Sequence, residues 1–115
     1  MGLDNYWECD REVEFNPPLK LCGGMFSGHG QGSFRGKVYF SVVLAVTGES
    51  LYQEHIDAAT VKAMAERLQA TDFEAMLQLT DPDPSDYQIE AEEFADLQRM
   101  FRVYADAGAE LRAWA

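Results

Sequence analysis

QIEAEEFADLQRMFRVYADA, running from Gln88 to Ala107, is the stretch on which the reading of the fold turns. Phe94, Leu97, Phe101 and Tyr104 recur at three- and four-residue steps, a spacing that gathers large apolar groups on one side of an α-helix. Glu92, Glu93, Asp96 and Arg99 are expected largely on the other side, toward water. An amphipathic helix needs an apolar surface for its stripe to pack on, so the rest of the chain is read as supplying one. Leu111 extends the stripe past Gly108, and the tail ELRAWA offers Leu111 and Trp114 to the same core.

Upstream of that helix, Asp81-Pro82-Asp83-Pro84 breaks the chain into a stiff link, because a residue before proline is driven out of the helical region. Ser85 and Gln88 have capping-box spacing for the helix that follows. Asp72 is placed to cap a short helix over Phe73 to Leu79, and Asp57 to cap a longer one over Ala58 to Gln69. The longer one carries Val61, Met64, Ala65 and Leu68 on one face, with Ile56 and Val61 as its hydrophobic staple.

Val38 to Val46, VYFSVVLAV, is the one continuous apolar run. Periodicity leaves a buried helix or a buried strand open. Boundary chemistry favours the helix, with Ser33 as an N-terminal cap and Gly48 where a helix end wants a left-handed residue. At the N-terminus, Leu3 to Glu8, with Tyr6 and Trp7, suits a short strand, and Leu19 to Cys22 a second. The fold class expected is α+β: three or four helices packed on a small β element made by the N-terminal third. One domain is expected over 1–115, with short strands in 1–22, a Gly-rich loop in 23–37 and a mainly helical remainder.

Composition narrows the function classes. Twenty acidic residues against nine basic ones leave a net charge of −11 and a pI near 4.4, a surface that repels nucleic acid and anionic lipid but attracts basic partners. From Asp81 to Gln98 there are seven acids and no Lys or Arg. One reading is a solvated face that keeps the protein dissolved. The sharper reading is an electrostatic docking face of Asp83, Asp86, Glu90, Glu92, Glu93 and Asp96 for a basic protein. The N-terminus MGLDNYWECD has neither the basic start nor the apolar core of a secretory signal, and no apolar run approaches the ~20 residues of a membrane span. A cytoplasmic protein is expected.

The glycine-rich stretch Gly23 to Lys37, GGMFSGHGQGSFRGK, holds six glycines in fifteen residues. It matches neither the Walker loop nor the dinucleotide pattern, since Gln31 and Ser33 stand where glycine is required. A nest of backbone N–H groups beside Arg35 and Lys37 could nonetheless hold an anion. That gives a second class of function: a small-ligand or nucleotide-phosphate binder, or an enzyme, using Gly28, His29, Gly30, Gly32, Arg35 and Lys37. The alternative for the stretch is a surface loop whose glycines serve tight turns.

Metal and catalytic signals are thin. Cys9, Cys22, His29 and His55 match no compact zinc template. Asp81, Asp83, Ser85, Tyr87 and Glu92 fall on calcium-loop positions, but Asp86 occupies the position that needs glycine. No metal, no cofactor and no catalytic residue is therefore assigned, and Cys9 and Cys22 are expected as thiols.

MGLDNYW, Cys22-Gly23-Gly24, Ser33 to Lys37 (SFRGK) and Thr47 to Tyr52 (TGESLY) resemble segments of small cytosolic proteins of phages and bacteria. The resemblance implies a compact α+β protein, phage- or prophage-borne, and transfers no functional residue. The function expected is non-enzymatic: an acidic protein that binds a basic protein or nucleic-acid-binding complex, as a phage-type inhibitor or nucleic-acid mimic would. Direct binding to nucleic acid or membrane is not expected. A homodimer through leftover apolar surface is a further possibility.

Overall fold

Helix α4, Ala91–Asp106, is the amphipathic helix expected, with Phe94, Leu97, Met100, Phe101 and Tyr104 buried. The computed structural model describes residues 4–10, 13, 15, 19, 26–28, 31–80 and 89–114. Before α4 come β1 Asp4–Glu8, β2 Phe26–Gly28, β3 Gln31–Phe34, α1 Gly36–Thr47, β4 His55–Ile56, α2 Ala58–Gln69 and α3 Phe73–Thr80; β5 Glu110–Trp114 follows it. The fold is α+β and mostly helical, with four helices on an antiparallel sheet of order β2-β3-β1-β5-β4.

The sheet is wider than the N-terminal third alone could make. The first strand pairs along its whole length with the last, from Asp4 opposite Trp114 to Glu8 opposite Glu110. The tail is thus a strand rather than an extension of the helical stripe. Gly108, at φ 73°, turns the chain out of α4 in the left-handed region that glycine enters at least cost. Beyond it, side chains alternate: Leu111 is buried while Glu110 and Arg112 are half-exposed.

Because facing residues in an antiparallel pair share a side of the sheet, the register sets the inner face: Phe34 opposite Asn5, Trp7 opposite Leu111, and Ile56 opposite Leu111. All five are buried. Trp7 is the centre of this face, stacked on Tyr104 at 4.6 Å and meeting the edge of Phe101 at 5.0 Å. One residue of β1 and two successive turns of α4 are thereby locked together. Asn5 donates from Nδ2 to the Leu51 carbonyl at 3.0 Å, which pins the α1–β4 connector and its buried Leu51 to the sheet.

On the outer face, Glu8 lies 2.6 Å from Arg112 and Glu110 2.5 Å from His55. Such exposed pairs contribute little stability, but they take up two of the protein's carboxylates.

The apolar run is helix α1, one residue pair wider at its start than the run itself. Valines are poor helix formers, and burial of Tyr39, Val42 and Val43 compensates. Gly48 closes it at φ 78°, its N–H donating to the Leu44 carbonyl. Ser33 is not its cap: it pairs with Tyr6 inside the sheet, and Arg35 holds the N-cap position without a side-chain cap bond.

Helix α2 has the expected boundaries and buried face. Hydrogen bonds from Thr60, its side chain first and then its backbone N–H, hold the Asp57 carboxyl below its usual 3.8. At the other end of α2, Gln98 of α4 donates to the carbonyls of Leu68 and Thr71 at 2.6 and 2.8 Å, tying the end of α2 to α4. Asp72 caps α3, accepting from the N–H of Ala75 at 2.7 Å. The segment Asp81 to Gln88, with its calcium-loop and capping-box readings, lies outside the described residues, as do Lys20 to Cys22 of the second expected strand. No helix among the described residues is long and apolar enough to cross a membrane.

Candidate functional site

The stretch without a basic side chain runs further back than Asp81: no Lys or Arg occurs from Leu68 to Gln98. It contains α3 and the first turns of α4. Phe73, at the start of α3, meets Phe94, in the first turns of α4, with ring centroids 6.3 Å apart. That contact brings the two helix beginnings together. Asp72 and Glu74 from one, and Glu90 and Glu92 from the other, are exposed around it. Carboxylates at helix N-termini are locally favourable, since they face the positive end of the helix dipole. The helix ends thus offset part of the repulsion among these carboxylates. Glu74, Glu90 and Glu92 have no ion-pair partner among the described residues.

Of the six carboxylates expected to form a docking face, the four that are described differ in their surroundings. Glu90 and Glu92 are exposed as expected. Glu93 is only 8% exposed and points inward, accepting a hydrogen bond from the Tyr39 hydroxyl of α1. Asp96 is held 3.2 Å from Arg99 one turn on, with both side chains largely covered. Arg99 in turn lies over the Phe15 ring, 5.8 Å from its centroid. Glu93 is thus a core tether, and Asp96 belongs to a local ion pair. Asp83 and Asp86 lie outside the described residues.

Asp72 and Glu74 had no place in the expected face. Asp72 reads as a helix cap, which it is, and Glu74 falls outside the densest acidic run. The missing base between Arg67 and Arg99 is the signal that includes them.

The glycine-rich stretch is not one loop. It contains the β2–β3 hairpin, in which Ser27 faces Gly32 and Gly28 faces Gln31, and it runs into the start of α1. Gly28 and Gly32 thus serve strand pairing, while His29 and Gly30 lie outside the described residues. Arg35 and Lys37 are exposed on either side of buried Gly36 at the N-terminus of α1. There is no acid in that first turn, so the end of the helix keeps its positive character.

His55 is an outer-face residue of β4 engaged with Glu110. Cys9 is a free, half-buried thiol 3.9 Å from the Ala107 carbonyl. Neither sits beside Arg35 or the α3–α4 edge in a shared element. Compared with known families, curated proteins and solved structures, the chain finds no match in any of the three.

Proposed function

We propose that the protein is a non-enzymatic binder of a basic protein, and that it docks through the edge where α3 and α4 begin. The observation that carries this reading is the Phe73–Phe94 contact, which gathers exposed Asp72, Glu74, Glu90 and Glu92 from two helices. The charge elsewhere is partly consumed: Glu8 and Glu110 face Arg112 and His55, Asp96 faces Arg99, and Glu93 is buried. An edge of like charges with no base among them costs self-repulsion that a cationic surface relieves, so complementarity would set partner choice and speed of encounter. The partner fitting this chemistry is a protein whose basic surface ordinarily meets phosphates, and the protein would act on it as an inhibitor by occupying that surface.

The test is charge reversal. Glu74→Lys, Glu90→Lys and Glu92→Lys together are expected to abolish capture of the partner, while the same substitutions at Glu8 and Glu110 leave it. Binding by the native protein should weaken as salt rises through the range in which surface charges are screened. Capture that survives the triple reversal and ignores salt would refute the proposal.

A second reading rests on the α1 N-terminus, where Arg35 and Lys37 flank a helix end lacking a side-chain cap. This is a place for a phosphate group. Thermal shift with inorganic phosphate and nucleotides separates the readings: a ligand-dependent rise lost in Arg35→Ala supports this one.

A further inference from the structure

Between α2 and the end of α1 lies a hollow of about 320 Å³, within the about 300–1,000 Å³ typical of small-molecule sites. Thr60, Ala63, Met64 and Arg67 form its α2 wall. They stand at i, i+3, i+4 and i+7, the spacing of one helical face. The facing wall is Thr47, the last residue of α1, and Glu49 beyond it, while Asp57 belongs to the end nearest the start of α2. Helix α1 has no base in its last turn, so that wall also carries the negative end of a helix dipole.

The charged groups on these walls are held by the chain, yet none neutralises another. Arg67 donates through Nη1 to the Thr47 carbonyl. Glu49 accepts at Oε1 from Gln53 at 3.1 Å, and its N–H donates to the Thr47 hydroxyl at 3.1 Å. Asp57 accepts from the Thr60 N–H at 2.8 Å. Arg67, Glu49 and Asp57 make no ion pair among the described residues. Both Glu49 and the guanidinium keep hydrogen-bonding capacity to spare, in positions already fixed before a ligand arrives.

The charges are also ordered along the hollow. Glu49 and Arg67 share one end, because a carbon added at Gly48, just before Glu49, would stand 3.3 Å from Arg67 Nη1. Asp57 and Thr60 mark the other end, about 10 Å away along α2. Ala63 and Met64 lie between them. One end thus offers a base beside an acid, the other an acid alone, and the wall between is apolar.

We propose that the hollow binds a free basic α-amino acid, of the lysine or arginine class. Its carboxylate meets Arg67, its α-ammonium Glu49, its methylene stem the Ala63–Met64 wall, and its side-chain cation Asp57. An extended lysine spans about 7 Å from carboxylate to side-chain ammonium, which suits the distance between the ends. A ligand of net positive charge also suits a protein at −11, whose field gathers cations. Asp57 and Arg67 are exposed, so solvent screens both contacts and the affinity is modest. The site is separate from the docking edge on α3 and α4 and does not depend on it.

Titration calorimetry of the native protein with L-lysine, and with three analogues that each lack one group, tests the assignment. Norleucine lacks the side-chain cation, cadaverine the carboxylate and Nα-acetyllysine the α-ammonium. Each is expected to bind about tenfold more weakly than lysine, the loss of one charge-assisted hydrogen bond. Asp57→Asn keeps a helix-capping side chain; it should bring lysine down to the affinity of norleucine and leave norleucine unchanged. Glu49→Gln should likewise bring lysine down to Nα-acetyllysine. A general loss of stability would instead weaken all four compounds together. No binding of lysine overturns the proposal. So does cadaverine binding as tightly as lysine, the behaviour of a surface that attracts any diamine. Nα-acetyllysine binding as tightly as lysine, as at a site for peptide C-termini, overturns it too. An Asp57→Asn protein that still prefers lysine to norleucine is equally fatal to it.

Discussion

Glu92 and Glu93 are neighbours in the chain, and a helix turns them about 100° apart; one ends in water and the other in the core. The spacing that explains it is present in the sequence, because Glu93, Leu97 and Met100 stand at i, i+4 and i+7, the positions of one helical face. Glutamate at such a position reads as polar and is easily assigned outward. What decides its side is a donor that no local pattern discloses, the Tyr39 hydroxyl 54 residues earlier. Hydrogen bonds to charged groups contribute about 1.5–3 kcal/mol. Tyr39→Phe is therefore expected to lower the unfolding free energy by about that amount in urea denaturation, and an unchanged midpoint would show the bond contributes nothing. Tyr104 makes a complementary prediction in alkali. Burial, and secondarily the charge of Cys9, push its hydroxyl up to about 12 from 10.0. The folded state thus holds its proton more tightly than the unfolded state does. The associated stability is complete below pH 10 and is lost as pH rises through about 12. Tyr104→Phe should remove that part of the alkaline slope, read as the pH dependence of the urea midpoint.

Among the elements, the helices were legible and the strands were less so. Asp57 and Asp72 announce the starts of α2 and α3, because an N-cap is a local device using one side chain and a nearby N–H. Gly48 announced the end of α1 in the same way. The β2–β3 hairpin was hidden by its own glycines, which read as a loop and lack the side chains that mark a strand. Strand β5 was hidden because Leu111 falls seven residues after Tyr104, a helical interval, although Glu110 and Arg112 around it follow the two-residue alternation of a strand. The two left-handed glycines allow a graded test. Alanine at either position carries the left-handed strain of about 1–2 kcal/mol. At Gly48 the added carbon also meets Arg67 Nη1 at 3.3 Å, whereas at Gly108 nothing lies within 4 Å. Arg67 donates to the Thr47 carbonyl, so Gly48→Ala disturbs that bond as well. It should lower the melting temperature more than Gly108→Ala; equal losses would mean that the Arg67 contact is slack.

For the molecule as a whole, the first and last strands being neighbours makes the fold depend on contacts the length of the chain apart, and Trp7 is where they converge. It touches Phe34 from β3 and both Phe101 and Tyr104 from α4. Trp7→Ala is expected to cost about 3–5 kcal/mol, measured by chemical denaturation, and to loosen β5 together with β1. The expected class, helices on a small sheet, followed from patterning because each amphipathic face demands a cover. The candidate site followed only in part. Net charge is a property of composition, but which carboxylates stand together depends on how α3 and α4 meet at Phe73 and Phe94. The central proposal is that this meeting point receives a basic protein. Zero-length carboxyl–amine cross-linking of the captured complex, mapped by mass spectrometry, tests it most directly. Links from lysines of the partner to Glu74, Glu90 and Glu92 are the expected result. Links confined to Asp4, Glu8 and Glu110 on the open face of the sheet would contradict it.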